Sequence, residues 1–112
     1  GSGVVEMSLS DAGNLTIQGN LTELSSRTAK HRIEALDPEE VLRKVVSLPV
    51  REWSYKDSPE GVRHVGPMAE DFHAAFGLGE GPTGISTLDT SGVALMAVQG
   101  LAQRLEEKER AM

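Results

Sequence analysis

A chain of 112 residues with 38% apolar residues, two Phe, one Trp and one Tyr has room for one modest domain with a thin core, a shortage that oligomerisation commonly remedies. The net charge of −6 is carried by intermixed acidic and basic residues, without the basic stripe of a nucleic-acid binder. The lack of cysteine excludes disulfides and thiolate metal sites, and no apolar run approaches the about 18 residues of a membrane span.

Gly1-Ser2 reads as a cloning remnant, no signal peptide is read after it, and the chain reads as a piece of a longer protein. Val4 to Leu9 and Leu15 to Leu21 alternate in the manner of short strands, with a turn signal at Asp11-Ala12-Gly13-Asn14 between them. A lone hairpin is marginal in water, so residues 1–24 are expected to be the end of a β-rich shaft that pairs with copies of itself or continues upstream. Residues 25–36 are polar and basic and read as a linker into a new domain, 25–112.

Asp37 is placed to cap a helix, with Pro38 at the first helical position and Glu40 at capping-box spacing. Val41, Leu42, Val45, Val46 and Leu48 form its apolar stripe, and Pro49 ends it. Val50 to Lys56 suits a strand with Trp53 and Tyr55 on one face. A turn cluster at residues 57–61 leads to a partner strand at Val62 to Val65. A second helix is predicted from about Pro67 to Phe76, with Met68, Ala69, Phe72, Ala75 and Phe76 as its apolar face and Gly77 as its stop. The glycine-rich residues 77–84 are a loop.

Asp89 is the predicted cap of the last helix, which no proline interrupts and in which Gly100 stands. Ala94, Val98, Leu101, Leu105 and Met112 follow one another at coiled-coil spacing, with Lys108 at the missing seam position. Such a helix is marginal alone. The expected arrangement is therefore a small coiled coil between chains, the alternative being a helix that lies against its own domain. The fold class is therefore α+β: short N-terminal strands, a small body of helices and a hairpin, and a long C-terminal helix.

Several segments, in order, resemble one family. Ser25-Ser26-Arg27-Thr28-Ala29-Lys30 resembles the leading motif of the intramolecular chaperone and self-cleaving domains that end phage tail fibres, tailspikes and endosialidases. There a Ser is usually followed by Asp, with a Lys five positions after the Ser. Asp37 to Leu42, then Leu48-Pro49 followed by the Trp53/Tyr55 strand, are similar to that family's next segments. Arg63-His64-Val65-Gly66-Pro67-Met68-Ala69-Glu70 is similar to its His-x-Gly-x-x-Ala-(Gln/Glu) block, and Ile85 to Asp89 with the terminal helix complete the set. The resemblance spans residues 25–112.

It implies a homotrimeric module that aligns three chains while the upstream fibre domain of the same chain folds. The module is then released by cleavage at Ser25, with Ser25 as nucleophile and Lys30 as base. It implies roles in folding or assembly for His64, Gly66 and Trp53, and a trimer seam of Ala94, Val98, Leu101, Leu105 and Met112. It also implies a tail fibre of a virion, or a prophage or bacterial fibre, assembled in the bacterial cytoplasm. No cofactor, metal, nucleic acid or membrane partner is expected. The departures are Ser26, where Asp is usual, and Ala29, where Leu is common.

The chemistry sets its own conditions. A serine hydroxyl needs a base within hydrogen-bond reach. Lysine is a base only when neutral, which requires burial or positive neighbours; Arg27, His31 and Arg32 are near in sequence. Residues five apart point about 140° apart on a helix and to opposite faces on a strand. So Ser25 and Lys30 meet only if the segment bends, or Ser25 meets the lysine of another subunit.

Blander readings accompany each feature. Ser-x-x-x-x-Lys is by itself a chance spacing. His31, His64 and His73 lack metal-ligand spacing. His64 alone reads as a buried or interface histidine bonded to backbone, and Trp53 and Tyr55 as core or subunit contacts. Glu70 and Asp71 make no convincing acid/base pair with Asp57 and Glu60. Gly77, Gly79 and Gly81 lack the context of a phosphate cradle. The competing functions are a trimerisation cap that never cuts, a regulatory module of the kind that frees membrane-anchored transcription factors, and an adhesive fibre tip.

Overall fold

A computed structural model of the chain describes residues 6–9, 15–18 and 22–111. The chain is α+β and divides into two compact units, Gly1–Glu34 and Ala35–Met112. In the first unit, β1 (Glu6–Leu9) pairs antiparallel with β2 (Leu15–Gln18), in the register Glu6 to Gln18 through Leu9 to Leu15. The turn expected at Asp11 to Asn14 lies outside the described residues, as do the outer ends of the two predicted strands and Met112.

The second unit begins with α1 (Pro38–Ser47). Asp37 caps it as the sequence predicts, its carboxylate accepting the Glu39 N–H at 3.1 Å. Glu40 does not work as the partner of a capping box; its carboxylate accepts from Arg43 at 3.3 Å instead. The last turn closes with the Leu48 N–H on the Val45 carbonyl, and Pro49 follows. Of the predicted stripe, Val41 and Leu42 are buried and Val45 and Leu48 half-buried, but Val46 is 77% exposed. The buried stripe is narrow because α3 supplies most of the cover of α1, with Phe76 of α2 at its edge.

β3 (Arg51–Trp53) and β4 (His64–Gly66) form an antiparallel hairpin in which Trp53 faces His64. Both strands are shorter than predicted. Beyond them the Ser54 hydroxyl donates to the Val62 carbonyl at 2.7 Å, and the Ser58 and Val62 N–H groups close the turn on Tyr55 and Pro59. α2 (Ala69–Phe76) starts after Pro67 and Met68, and it stops at Gly77 in the left-handed conformation (φ 63°), which glycine adopts without a Cβ penalty. Phe72 on α2 is 3% exposed and meets Phe76 with the rings tilted by 45° at 5.0 Å between centres.

α3 (Thr87–Ala111) has 25 residues, about 38 Å of helix. Its first turn is capped by Ser86, whose hydroxyl accepts the Leu88 N–H at 3.2 Å. The expected cap, Asp89, lies inside the first turn, where its negative charge is favourable to the helix dipole. Val41, Leu42 and Ala97 form the centre of the core, with Val45, Phe76, Val93 and Met96 packed around them. α1 and α3 make this contact, and Gly100 allows it. A Cβ at residue 100 would overlap the Pro38 carbonyl oxygen and lie 2.7 Å from its carbon and 3.2 Å from the Glu39 nitrogen. Buried Val, Leu or Phe side chains contribute about 1.5–3 kcal/mol each, and with only Val41, Leu42, Phe72 and the smaller Ala97 buried among the described residues the core is thin.

Candidate functional site

Ser25 and Lys30 belong to the first unit, in the stretch between β2 and the start of the second unit. The stretch bends. Residues Arg27–Ala29 form one 3-10 turn, with Ser26 before it (φ −64°, ψ 144°) and Lys30 after it (φ −115°, ψ 152°) both extended. The Ala29 N–H donates to the Ser26 carbonyl at 2.9 Å and the Lys30 N–H to the Arg27 carbonyl at 3.3 Å. Two extended arms joined by a tight turn bring together side chains that a regular helix or strand would part. Lys30 Nζ donates to Ser25 Oγ at 2.8 Å. Of the two routes open to the sequence, bending within one chain is the one this structure takes.

Both side chains are exposed in the single chain, as is every described residue from 22 to 37. With Nζ as the donor, the contact holds the hydroxyl oxygen without activating it. The same contact becomes nucleophile and base once the amine is neutral, because the hydroxyl then donates to nitrogen. After the turn, Arg32 takes a left-handed conformation (φ 55°), uncommon for a residue with a Cβ, and its guanidinium points to Glu34 at 3.9 Å. The residue at the departure, Ser26, is part of the turn: its hydroxyl accepts the Thr28 N–H at 3.3 Å and lies 2.9 Å from the Thr28 hydroxyl.

His64, Gly66 and Trp53 come together on the β3–β4 hairpin of the second unit. The Trp53 indole N–H donates to the Gly66 carbonyl at 3.2 Å. The His64 ring lies 5.1 Å from Trp53 and 5.3 Å from Tyr55, and the Trp53 and Tyr55 rings meet edge to face at 4.9 Å. His64 is exposed in the single chain, so of the two readings, buried or interface, the buried one does not hold; its surroundings are two aromatic rings, on a short hairpin too small to enclose it. Trp53 is half-buried and, with Tyr55, borders a shallow groove shared with Pro67, Met68 and Ile85. Nothing in the sequence marked these three rings as one cluster except the strand alternation of Trp53 and Tyr55.

The seam residues Ala94, Val98, Leu101 and Leu105 are exposed, the last three by 64%, 57% and 57%. Val93, Ala97 and Gly100 face α1, about a third of a turn away around the helix. α3 thus carries two apolar stripes, one used within the chain and one not. All described residues after Gly100 are exposed. The packing of Val93, Ala97 and Gly100 on α1 is the arrangement against the chain's own domain, and the expected coiled-coil seam stays exposed beside it, so the two do not exclude each other. Among the described residues no cluster of three or more His, Asp or Glu side chains is placed to hold a metal, and no helix is long and apolar enough to cross a membrane.

Residues 25–77 match the family model described as chaperone of endosialidase; the match begins at Ser25 and runs through the hairpin to the end of α2. No curated protein and no solved structure matches the chain.

Proposed function

Residues 25–77 belong to the chaperone-of-endosialidase family, and from that premise we propose that this chain is an intramolecular chaperone that trimerises through α3, assists folding of an upstream β-rich fibre, and then cuts itself free at Ser25. The observation that carries the cleavage reading is the 2.8 Å contact between Lys30 Nζ and Ser25 Oγ across a single tight turn. The exposed stripe Val98, Leu101 and Leu105 supports association, since a solvated helical extension after Gly100 is marginal without a partner. The chain then acts within a tail fibre of a virion, or a prophage or bacterial fibre, assembled in the bacterial cytoplasm.

Assembly provides the timing. In the lone chain Lys30 is in water and donates to the serine. Closing subunits around residues 25–30 removes water, which disfavours the ammonium form. Neutral Nζ then takes the proton of Ser25 Oγ as the oxygen adds to an adjacent peptide carbonyl. The C–N bond breaks, the departing nitrogen receives that proton from Nζ, and water hydrolyses the resulting ester. Each subunit turns over once.

The second reading, a trimerisation cap that does not cut, is favoured by the exposure of the pair and by Ser26 in place of the usual acid. Intact mass and solution mass, measured together on the wild type and Ser25→Ala, decide between them. The cleavage reading expects a trimer of the wild type that accumulates a product starting at or next to Ser25, and a Ser25→Ala trimer that stays whole. A wild-type trimer as whole as Ser25→Ala after prolonged incubation establishes the cap.

A further inference from the structure

The Ser25–Lys30 contact spans the 3-10 turn, which two backbone hydrogen bonds close and one side chain caps. Ser26 Oγ accepts the Thr28 N–H at 3.3 Å and pairs with the Thr28 hydroxyl at 2.9 Å, while the Ser26 carbonyl takes the Ala29 N–H at 2.9 Å. Resting on the cleavage reading above, we propose that Ser26 is a positioning residue: it caps the turn that sets Lys30 Nζ against Ser25 Oγ, and what position 26 requires is a short hydrogen-bond acceptor rather than a negative charge.

The physics follows from capping. Ser, Asp and Asn share the geometry that lets a side-chain oxygen reach a backbone N–H two residues on, and Ala does not. With the cap gone, the Thr28 N–H turns to water and the segment spends more time extended, where side chains five apart diverge. Cleavage then slows in proportion to the fraction of chains whose nucleophile and base are together. Serine at 26 is on this account equivalent to the aspartate usual at that position, so the departure leaves the site intact.

The test is the self-cleavage rate as a function of pH for the wild type, Ser26→Ala, Ser26→Asn and Ser26→Asp, each with its solution mass measured. Ser26→Ala is expected to cleave about fivefold more slowly, the effect of losing a typical cap, with the midpoint of its pH profile unmoved because no charge has changed. Ser26→Asn and Ser26→Asp are expected within about twofold of the wild type, at the same trimer mass. The neutral asparagine makes the rescue specific to capping. A Ser26→Ala chain that cleaves at the wild-type rate overturns the proposal. So does acceleration of more than about tenfold by Ser26→Asp without any by Ser26→Asn, which would assign the position to charge. A wild type that never cleaves removes the reading on which the proposal rests, and is recognised because all four chains then stay whole.

Discussion

Gly100→Ala sets two physical effects of opposite sign against each other. In a solvated helix, alanine in place of glycine stabilises by up to about 1 kcal/mol. At residue 100 the new methyl group would overlap the Pro38 carbonyl oxygen and stand 2.7 Å from the Pro38 carbon. These are backbone atoms of the first turn of α1, next to a rigid proline ring, and no rotamer change clears them. α3 must back away by on the order of 1 Å to restore ordinary carbon contacts. That loosens Ala97 against Val41 and Leu42, in a core with little else to hold it. Overpacking of this kind costs about 1–3 kcal/mol, and a backbone clash belongs at the upper end, so the net loss is about 2 kcal/mol. Gly92, on the same helix with nothing within 4 Å of its would-be Cβ, is the internal control. Gly92→Ala carries the propensity gain alone and is expected to stabilise by up to about 1 kcal/mol. Thermal unfolding followed by circular dichroism at one fixed protein concentration separates the two, since each kcal/mol shifts Tm by about 4–8 °C in a unit of this size. If Gly100→Ala melts at or above the wild-type temperature, the close contact of α1 and α3 is not what holds the second unit together.

Four further outcomes are expected. Leu101→Glu together with Leu105→Glu leaves the α1–α3 contact in place but reduces the solution mass to that of a single chain, measured by light scattering; a trimer that persists rules out the exposed stripe as the seam. Asp37→Ala removes a used cap and costs about 1 kcal/mol in urea unfolding, whereas Glu40→Ala, outside any capping box here, stays within about 0.5 kcal/mol. Phe72→Ala empties the most buried side-chain site and costs about 3–4 kcal/mol, enough to unfold much of the second unit at room temperature, read by loss of helical circular dichroism. Trp53→Phe keeps the ring cluster but drops the indole bond to Gly66, and is expected to cost about 1 kcal/mol by the same unfolding assay.

Much of the second unit was legible locally. Asp37-Pro38 and Gly77 mark helix ends through bonds made within a few residues, and the structure uses both. Misplaced signals came from competition between neighbours: Ser86 caps in place of Asp89 because it stands at the true boundary, and Glu40 pairs with Arg43 rather than with the helix start at Asp37. Val46 is apolar and at helical spacing, yet exposed, because periodicity reports what a helix could bury and not how wide its neighbour is. In the candidate site the two side chains that meet, Ser25 and Lys30, were legible in the sequence. The turn that joins them was not, although Ser26-x-Thr28 is the local pattern that carries it.

The amino-acid order by itself determined the order and approximate bounds of the three α-helices and the two hairpins, and that residues 25 and 30 can touch only through a bend, because caps, turns and side-chain direction are properties of short contiguous segments. Tertiary structure alone decided which apolar stripe of α3 serves the chain's own core. That choice depends on residues far apart in sequence, a missing Cβ at Gly100 meeting the first turn of α1 at Pro38, and no window of contiguous residues contains both.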